Sequence, residues 1–383
     1  MDAITIIGSG LAGYTLAREF RKLDTTTPLR IISADHAGFY SKPMLSNALT
    51  QKKAPASLVT MDAEKMARQL NADILRHTSI STIDTQNKVI SDGKIEWQYS
   101  KLVLATGAHP HRLAIAGGAD EAIQSVNNLD DYTRFIQSIE NKKRILLIGA
   151  GLIGCEFAND LANSGYEVNV VNNTPTLLGQ LLPPQAAASL QTALNATGIR
   201  FHHICQIEQF EAQDGGYTAQ LSNGETLSCD IALSAIGLRP NLDLAQTAGL
   251  ACAHGIVVNR LLQTSNEEIY ALGDGAEIAG LVLPFVMPIM HSARALAKTL
   301  AGTATEVVFP AMPVAVKTPA LPTVVCPPPR GVEGRWQEEV LEGGVRALYH
   351  DADEKLRGFA LTGTACSERN GLAKELPALL GSA

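Results

Sequence analysis

Apolar residues in this chain fall into short, nearly unbroken runs separated by segments with helical spacing. The first run, Ala3-Ile-Thr-Ile-Ile7, gives way to Gly8-Ser-Gly10-Leu-Ala-Gly13 and then to a segment over 14–20 with apolar positions on one helical face. Such a run followed by such a segment predicts a parallel strand buried on both faces and its crossover helix. A second strand is predicted over 28–35, a helix over 62–70, and short strands over 74–76 and 79–84. Residues 88–90 and 95–99 read as an antiparallel excursion about Asp92-Gly93, and the run over 101–105 returns a buried strand to Thr106-Gly107.

The pattern then repeats. A helix beginning at Asn128 leads to an apolar run over 142–148, which ends in Gly149-Ala-Gly151-Leu-Ile-Gly154 and a second amphipathic segment. A strand over 166–171, a helix over 185–197, a strand over 199–203 and a hairpin over 206–221 fill out this unit. The strand over 230–235 closes at Gly237, as the earlier one closes at Ala105, Thr106 and Gly107. A further strand over 269–272 ends in Gly273-Asp274, a helix covers 289–300, and Pro310 opens a third region whose proline run at 327–329 predicts a rigid bend between strands.

The glycines give the pattern its chemistry. Gly8 permits a tight turn, Gly10 lets the backbone approach a pyrophosphate, and Gly13 lets helix and strand pack closely, while the helix offers unpaired N–H groups to the anion. Ser9, Leu11 and Ala12 complete the first motif; Leu152 and Ile153 stand at the equivalent places between Gly151 and Gly154. One such motif is a poor witness, but two, about 140 residues apart, imply two dinucleotides in two similar α/β units. Asp35 falls where a ribose-binding acid belongs, its bland alternative being a solvated loop aspartate. In the second unit that place holds Asn172-Asn173, with no arginine nearby for a 2′-phosphate, which favours NADH over NADPH. Lys42 precedes Pro43, which biases it towards extended backbone; it is either a cation beside an anionic cofactor or an ordinary surface lysine. Asp274, at a strand end, can accept a polyol hydroxyl.

Composition narrows the class. A chain of 383 residues exceeds what one core usually serves, and 18% charged residues with a net charge of −7 argue against disorder and against non-specific nucleic-acid binding. The longest apolar run, over 280–290, is short and broken by Pro284 and Pro288, and the first strand leaves no room for a secretory signal, so a cytoplasmic location is expected. The six cysteines contain no C-x-x-C pair, so no metal site is expected.

Two nested dinucleotide folds, with residues 264–274 returning the chain to its first lobe, resemble the FAD-dependent pyridine nucleotide oxidoreductases of the glutathione reductase class. The segments over 40–46, 151–158, 270–274, 283–288 and 316–319 are most similar to the rubredoxin reductases of that class, with flavorubredoxin reductases also similar. The resemblance implies an α/β fold of two Rossmann-like nucleotide-binding domains, for FAD and NADH, the second inserted in the first, plus a small C-terminal α+β domain. The expected boundaries are 1–112 and 241–309 for FAD, 113–240 for NADH, and 310–383 for a flavin-capping, partner-docking domain. Gly8 to Gly13 would hold the FAD pyrophosphate, Ala34 and Asp35 the adenosine end, the Ile80 backbone the adenine, Asp274 the ribityl chain, and Val286 would pass beside the flavin. Gly149 to Gly154 would take NADH, with Glu156 at the nicotinamide and flavin junction.

The resemblance also carries a departure. Relatives with a redox-active cysteine place it in a C-x4-C pair or directly after a Leu-Ser like Leu45-Ser46, where this chain has Asn47. Electrons are therefore expected to leave directly from flavin. Related ferredoxin reductases have a lysine after that Leu-Ser; here Lys317 is expected to approach flavin and Glu156 instead. The implied reaction is reduction of tightly bound FAD by NADH and single-electron delivery to rubredoxin, supplying alkane hydroxylation, by a monomer or homodimer. Rubredoxins being acidic, docking is expected on a local basic patch drawn from Lys317, Arg330 and Arg335. Ferredoxin or flavorubredoxin as acceptor, and a flavin sensor that does not turn over, are the alternatives.

Overall fold

The structure, a computed structural model, describes residues 2–179 and 181–381; Met1, Ser382 and Ala383, at the limits of the expected first and third regions, lie outside the described residues, as does Gln180. The first sheet has seven strands, of which five run parallel in the order Asp73–Leu75, Leu29–Ile32, Ala3–Ile7, Glu96–Leu104, Ile269–Ala271. Ala3–Ile7 is central and every residue in it is buried, which is why its sequence does not alternate. Its neighbour from residue 269 onward shows the chain returning to this sheet after the second nucleotide unit. Helix Leu11–Arg21 packs on helix Val286–Leu300, with Leu16, Ala17 and Phe20 facing Ala293, Leu296 and Ala297 in one core.

Elements of the first lobe differ from the sequence reading. Glu96–Leu104 is one strand rather than two: its first half pairs antiparallel with Val89–Ser91, its second half pairs parallel with Ala3–Ile7, and Ser100 is the extra residue at the register shift between them. The last helix of this lobe starts at Val286, not 289, because Pro288 sits in the first turn, where its missing N–H breaks no helical bond.

The second sheet is wholly parallel, in the order Arg200–His203, Glu167–Asn172, Arg144–Ile148, Ile231–Ser234, Gln124–Ser125. A three-stranded meander, Ile207–Gln213, Gly216–Leu221 and Thr226–Cys229, covers one end of it. The chain passes between the two lobes along Ala108–Pro110 and Leu238–Pro240, which pair antiparallel. Beyond residue 313 a five-stranded antiparallel sheet forms, in the order Val314–Val316, Thr323–Cys326, Leu356–Gly363, Gly344–Asp351, Gly334–Leu341. The proline run at 327–329 lies in the connection between Thr323–Cys326 and Gly334–Leu341, as the rigid bend required.

The third region is not an appendage. One hydrophobic core takes in Leu45, Ala48 and Leu58 from the first lobe, Leu147, Ala158 and Leu161 from the second sheet and its helix, and Val316, Val325 and Ala360 from the C-terminal sheet. Three stretches far apart in sequence therefore meet across shared apolar contacts, and polar groups placed among them are held on three sides. Among the described residues no helix is long and apolar enough to cross a membrane, and no cluster of His, Cys, Asp and Glu could hold a metal.

Candidate functional site

The first glycine turn is shaped by what it touches. Gly8 has φ +113°, and a Cβ there would lie 2.2 Å from the Ala105 carbonyl oxygen; at Gly13 a Cβ would lie 2.0 Å from the Gly8 carbonyl oxygen. At Gly10, by contrast, no heavy atom lies within 4 Å of where a Cβ would stand. Helix Leu11–Arg21 begins there with no side-chain cap and no acid in its first turn. An approachable, uncapped helix N-terminus fits a pyrophosphate.

The residues expected around this turn gather at it to different degrees. Ser9 Oγ lies 2.6 Å from Ser33 Oγ, and Asp35 accepts from Ser33 Oγ at 2.6 Å and from the Ala37 amide at 2.8 Å. A Cβ on Gly273 would touch Ala12, and one on Gly275 would crowd Thr106 and Gly107, so Asp274 stands between the helix start and the closing strand end. Asn241 braces that strand end by donating from Nδ2 to the Thr106 carbonyl at 2.7 Å. Burial raises the Asp274 carboxyl against the pull of Lys42, and burial lowers the Lys42 ammonium against the pull of Asp274 and Asp131. Ala34 is exposed, Pro43 and Ile80 are half-buried, and Val286 is 39% exposed at the start of its helix; none of these four makes a side-chain hydrogen bond among the described residues.

Lys42 departs from the extended backbone expected before a proline. It opens the 3-10 helix Lys42–Asn47, and its Nζ donates to Asn127 Oδ1 at 2.7 Å, while Asn127 Nδ2 donates to the Ala108 carbonyl at 2.8 Å. That chain of bonds to the strand joining the lobes holds the lysine where local preference alone would not. No sequence signal singled out Asn127.

The second glycine turn copies the first. Gly149 has φ +102° with Ala235 crowding its missing Cβ, and a Cβ on Gly154 would lie 2.0 Å from the Gly149 carbonyl oxygen. Helix Leu152–Asn163 starts at Gly151 without a side-chain cap. Gly237, at φ +106°, follows Ile236, whose side chain reaches the turn. Ile153 is 46% exposed and Leu152 half-buried at the mouth of this cradle. Asn172 turns inward, its Nδ2 donating to Thr174 Oγ1 at 2.7 Å, which leaves exposed Asn173 as the side chain facing out at the strand end.

Glu156, Ser46 and Lys317 meet between the lobes. Glu156 is 3% exposed; Ser46 Oγ donates to its Oε2 at 2.5 Å, the Lys317 amide donates to its Oε1 at 2.9 Å, and the Lys317 ammonium forms an ion pair with Oε2. Lys317 Nζ also donates to Ser46 Oγ at 3.1 Å. The buried carboxylate is thus paired and hydrogen-bonded, as a buried charge requires. On the same helix face, Asn159 Oδ1 accepts from the Ala320 amide at 3.1 Å, and Asp160 accepts from the amides of Leu49 at 3.1 Å and Thr50 at 2.8 Å. Burial raises the Asp160 carboxyl, opposed by Thr50, Leu49 and the charge of Lys317. Ser46 entered the sequence reading only as the neighbour of a missing cysteine, and Asn159 and Asp160 not at all. The helical spacing from Glu156 was the one signal that could have drawn them in.

The three cations expected to form a docking patch differ in what they meet. Lys317 turns inward to Glu156, and Arg335 pairs with Glu354 at 2.6 Å, so of the three only exposed Arg330 forms no ion pair among the described residues. The cysteines are free; Cys155, directly before Glu156, is buried, and burial pushes its thiol up to about 12. Asn47, not a cysteine, follows Ser46.

Known proteins share this architecture throughout. A family model described as pyridine nucleotide-disulphide oxidoreductase matches residues 2–298, and one described as rubredoxin binding C-terminal domain matches residues 306–376. A rubredoxin-NAD(+) reductase of Acinetobacter baylyi is 50% identical over 99% of each chain, and one of Alcanivorax borkumensis is 46% identical over 99% of this chain and 100% of its own. The crystal structure of a ferredoxin reductase from Rhodopseudomonas palustris superposes with a TM-score of 0.89 at 26% identity, over 98% of this chain and 96% of that one. By the match over residues 2–298 and the identity to both reductases, this chain belongs to the pyridine nucleotide-disulphide oxidoreductase family, which works with FAD and NAD(H).

Proposed function

We propose that the chain is an NADH-dependent reductase of rubredoxin, with FAD held tightly in the lobe of Gly8 and Asp274 and NADH bound as substrate in the lobe of Gly149. The observation that carries this reading is that the region matched as a rubredoxin binding C-terminal domain delivers Lys317 onto Glu156 of the nucleotide helix. Partner surface, flavin lobe and nucleotide lobe then converge at one buried cluster. The domain division follows the same lines: 1–112 with 241–309, 113–240, and 310–383. A reducing, cytoplasmic setting agrees with six free cysteines.

FAD bound in the first lobe would supply the redox chemistry, accepting electron pairs from NADH and giving single electrons to the partner. The chain's own part is placement and charge. The uncapped N-termini at Gly10 and Gly151 would hold the two pyrophosphates, Asp35 and Asp274 would accept hydroxyls, and Lys42, held by Asn127, would supply a fixed cation. Glu156, tied to Lys317 and Ser46, keeps its shape at the junction while Lys317 holds positive charge where negative charge develops on reduction. No general acid, nucleophile or thiol relay is needed.

The experiment is stopped-flow reduction of the holoenzyme by NADH without oxygen, followed by mixing with rubredoxin or ferredoxin. Rapid loss of oxidised-flavin absorbance and its recovery with rubredoxin are expected. Absent or very slow reduction would instead favour a sensor, and preferential recovery with ferredoxin would move the acceptor.

A further inference from the structure

The cluster of Ser46, Glu156 and Lys317 is assembled from three stretches of chain, and one of them is a short segment anchored by the apolar side chains of Leu45 and Ala48 and by polar bonds to one buried acid. Ser46 lies in the 3-10 helix Lys42–Asn47, a form of weak hydrogen-bond geometry that here ends in a run of turns over 48–52. Its hydroxyl is 2.5 Å from Glu156 Oε2, so a shift of a few tenths of an ångström changes the contact. The next two amides after Ala48, those of Leu49 and Thr50, both end on the carboxylate of Asp160, one oxygen each, at 3.1 and 2.8 Å. Thr50 Oγ1 adds a third bond, donating to the Asp160 backbone carbonyl at 3.2 Å.

Asp160 is 2% exposed and stands one helical turn beyond Glu156 on helix Leu152–Asn163, so both carboxylates face the same short segment. Glu156 meets its side chain and Asp160 its backbone. An acid buried this deeply for two backbone amides of a surface turn is an expensive way to build a turn. It does, however, fix the distance between that turn and the helix that carries Glu156.

We propose that Asp160 is a positioning residue for reduction by pyridine nucleotide: by holding the amides of Leu49 and Thr50 it sets the Ser46 hydroxyl against Glu156. The inference rests on the reading of the cluster given under the proposed function. Asp160 touches neither nucleotide cradle, so its effect falls on the rate of flavin reduction and not on nucleotide affinity. It acts through Ser46, so it has nothing to act on once the Ser46 hydroxyl is gone.

Three holoenzymes test this: Asp160→Asn, Ser46→Ala and the double variant, each loaded with FAD and reduced by NADH in stopped flow, with NAD+ affinity measured alongside. The asparagine keeps the size of the side chain but offers one amide acceptor where two are needed. Expected for Asp160→Asn is a reduction rate at saturating NADH lower by roughly 10- to 100-fold, unchanged NAD+ affinity, and a double variant no slower than Ser46→Ala. An unchanged rate in Asp160→Asn, or an equal further loss when it is added to Ser46→Ala, overturns the proposal. If Asp160→Asn does not retain flavin, Thr50→Pro removes one of the two amide donors from the other side, and the same comparison with Ser46→Ala decides. Should NADH fail to reduce the parent holoenzyme, the reading of the function fails first; should it succeed and Asp160→Asn match the parent, only the present inference falls.

Discussion

A single carboxylate concentrates much of the site's physics. Glu156 is almost wholly buried, and an isolated charge there would be costly, but Lys317 and Ser46 supply a cation and a donor. Removing the cation leaves the acid uncompensated and withdraws positive charge from the junction. Lys317→Met is therefore expected to lower the flavin midpoint potential and slow reduction by NADH by about 100-fold. Potentiometry and stopped flow on the same preparation measure both, and no change in either would remove Lys317 from the mechanism. Ser46→Ala takes away the hydroxyl's bonds to Glu156 and Lys317 but leaves the ion pair, so its effect on the rate should be the smaller of the two. The glycine turns were legible in the sequence because a pyrophosphate cradle imposes fixed spacing, whereas Glu156 was drawn from the family resemblance. Asn127 and Asp160 were not, because Asn127 accepts from the ammonium of Lys42 and Asp160 from the backbone amide of Thr50, both far away in sequence, and nothing local marks either partner.

Elements show the same division between local and distant causes. Parallel strands such as Ala3–Ile7 and Arg144–Ile148 were readable as apolar runs, and Asp62 caps helix Ala63–Leu70 by accepting from the Lys65 amide at 2.7 Å. Helix Pro184–Ala196 has no cap of its own; Glu338, on the strand Gly334–Leu341 of the C-terminal sheet, accepts from the amides of Gln185 at 2.8 Å and Ala186 at 3.0 Å. A cap supplied from 150 residues downstream cannot be read from local sequence. Glu338→Ala should destabilise the protein by ~1 kcal/mol, the usual loss for a helix cap, which urea titration would reveal as a lower midpoint with an unchanged slope. A second element-level prediction concerns acid. Burial opposes it, but the Arg144 guanidinium and the amides of Arg144 and Lys143 hold the Asp230 carboxyl down to about 2, tying strand Arg144–Ile148 to Ile231–Ser234. A carboxyl depressed on folding stabilises above its unfolded pKa, about 4, and loses that contribution as pH falls towards 2. Asp230→Asn should flatten the pH dependence of stability in that window, and equal slopes for parent and variant would argue against it.

At the scale of the whole molecule, charge and the position of Lys317 together set how a partner is met. The chain carries a net charge of −7, and two of the three cations expected to face an acidic rubredoxin are already paired, Lys317 with Glu156 and Arg335 with Glu354. That pairing was invisible to a reading that counted basic residues in the third region, since each acidic partner lies elsewhere in sequence, Glu156 on the nucleotide helix and Glu354 past the strand pair. Long-range attraction is then weak, and two acidic proteins repel until short-range contacts form. Raising ionic strength from about 0.01 to about 0.15 M shortens the Debye length from about 30 to about 8 Å and screens that repulsion. The KM for rubredoxin in steady-state turnover should accordingly stay level or fall as salt is added, with the rate of flavin reduction by NADH unaffected. Arg330, exposed and without an ion pair among the described residues, is the one of the three expected docking cations left to reverse this sign. A KM that instead climbs steeply with salt in the parent, and loses that dependence in Arg330→Ala, would place a basic docking patch on the C-terminal domain after all.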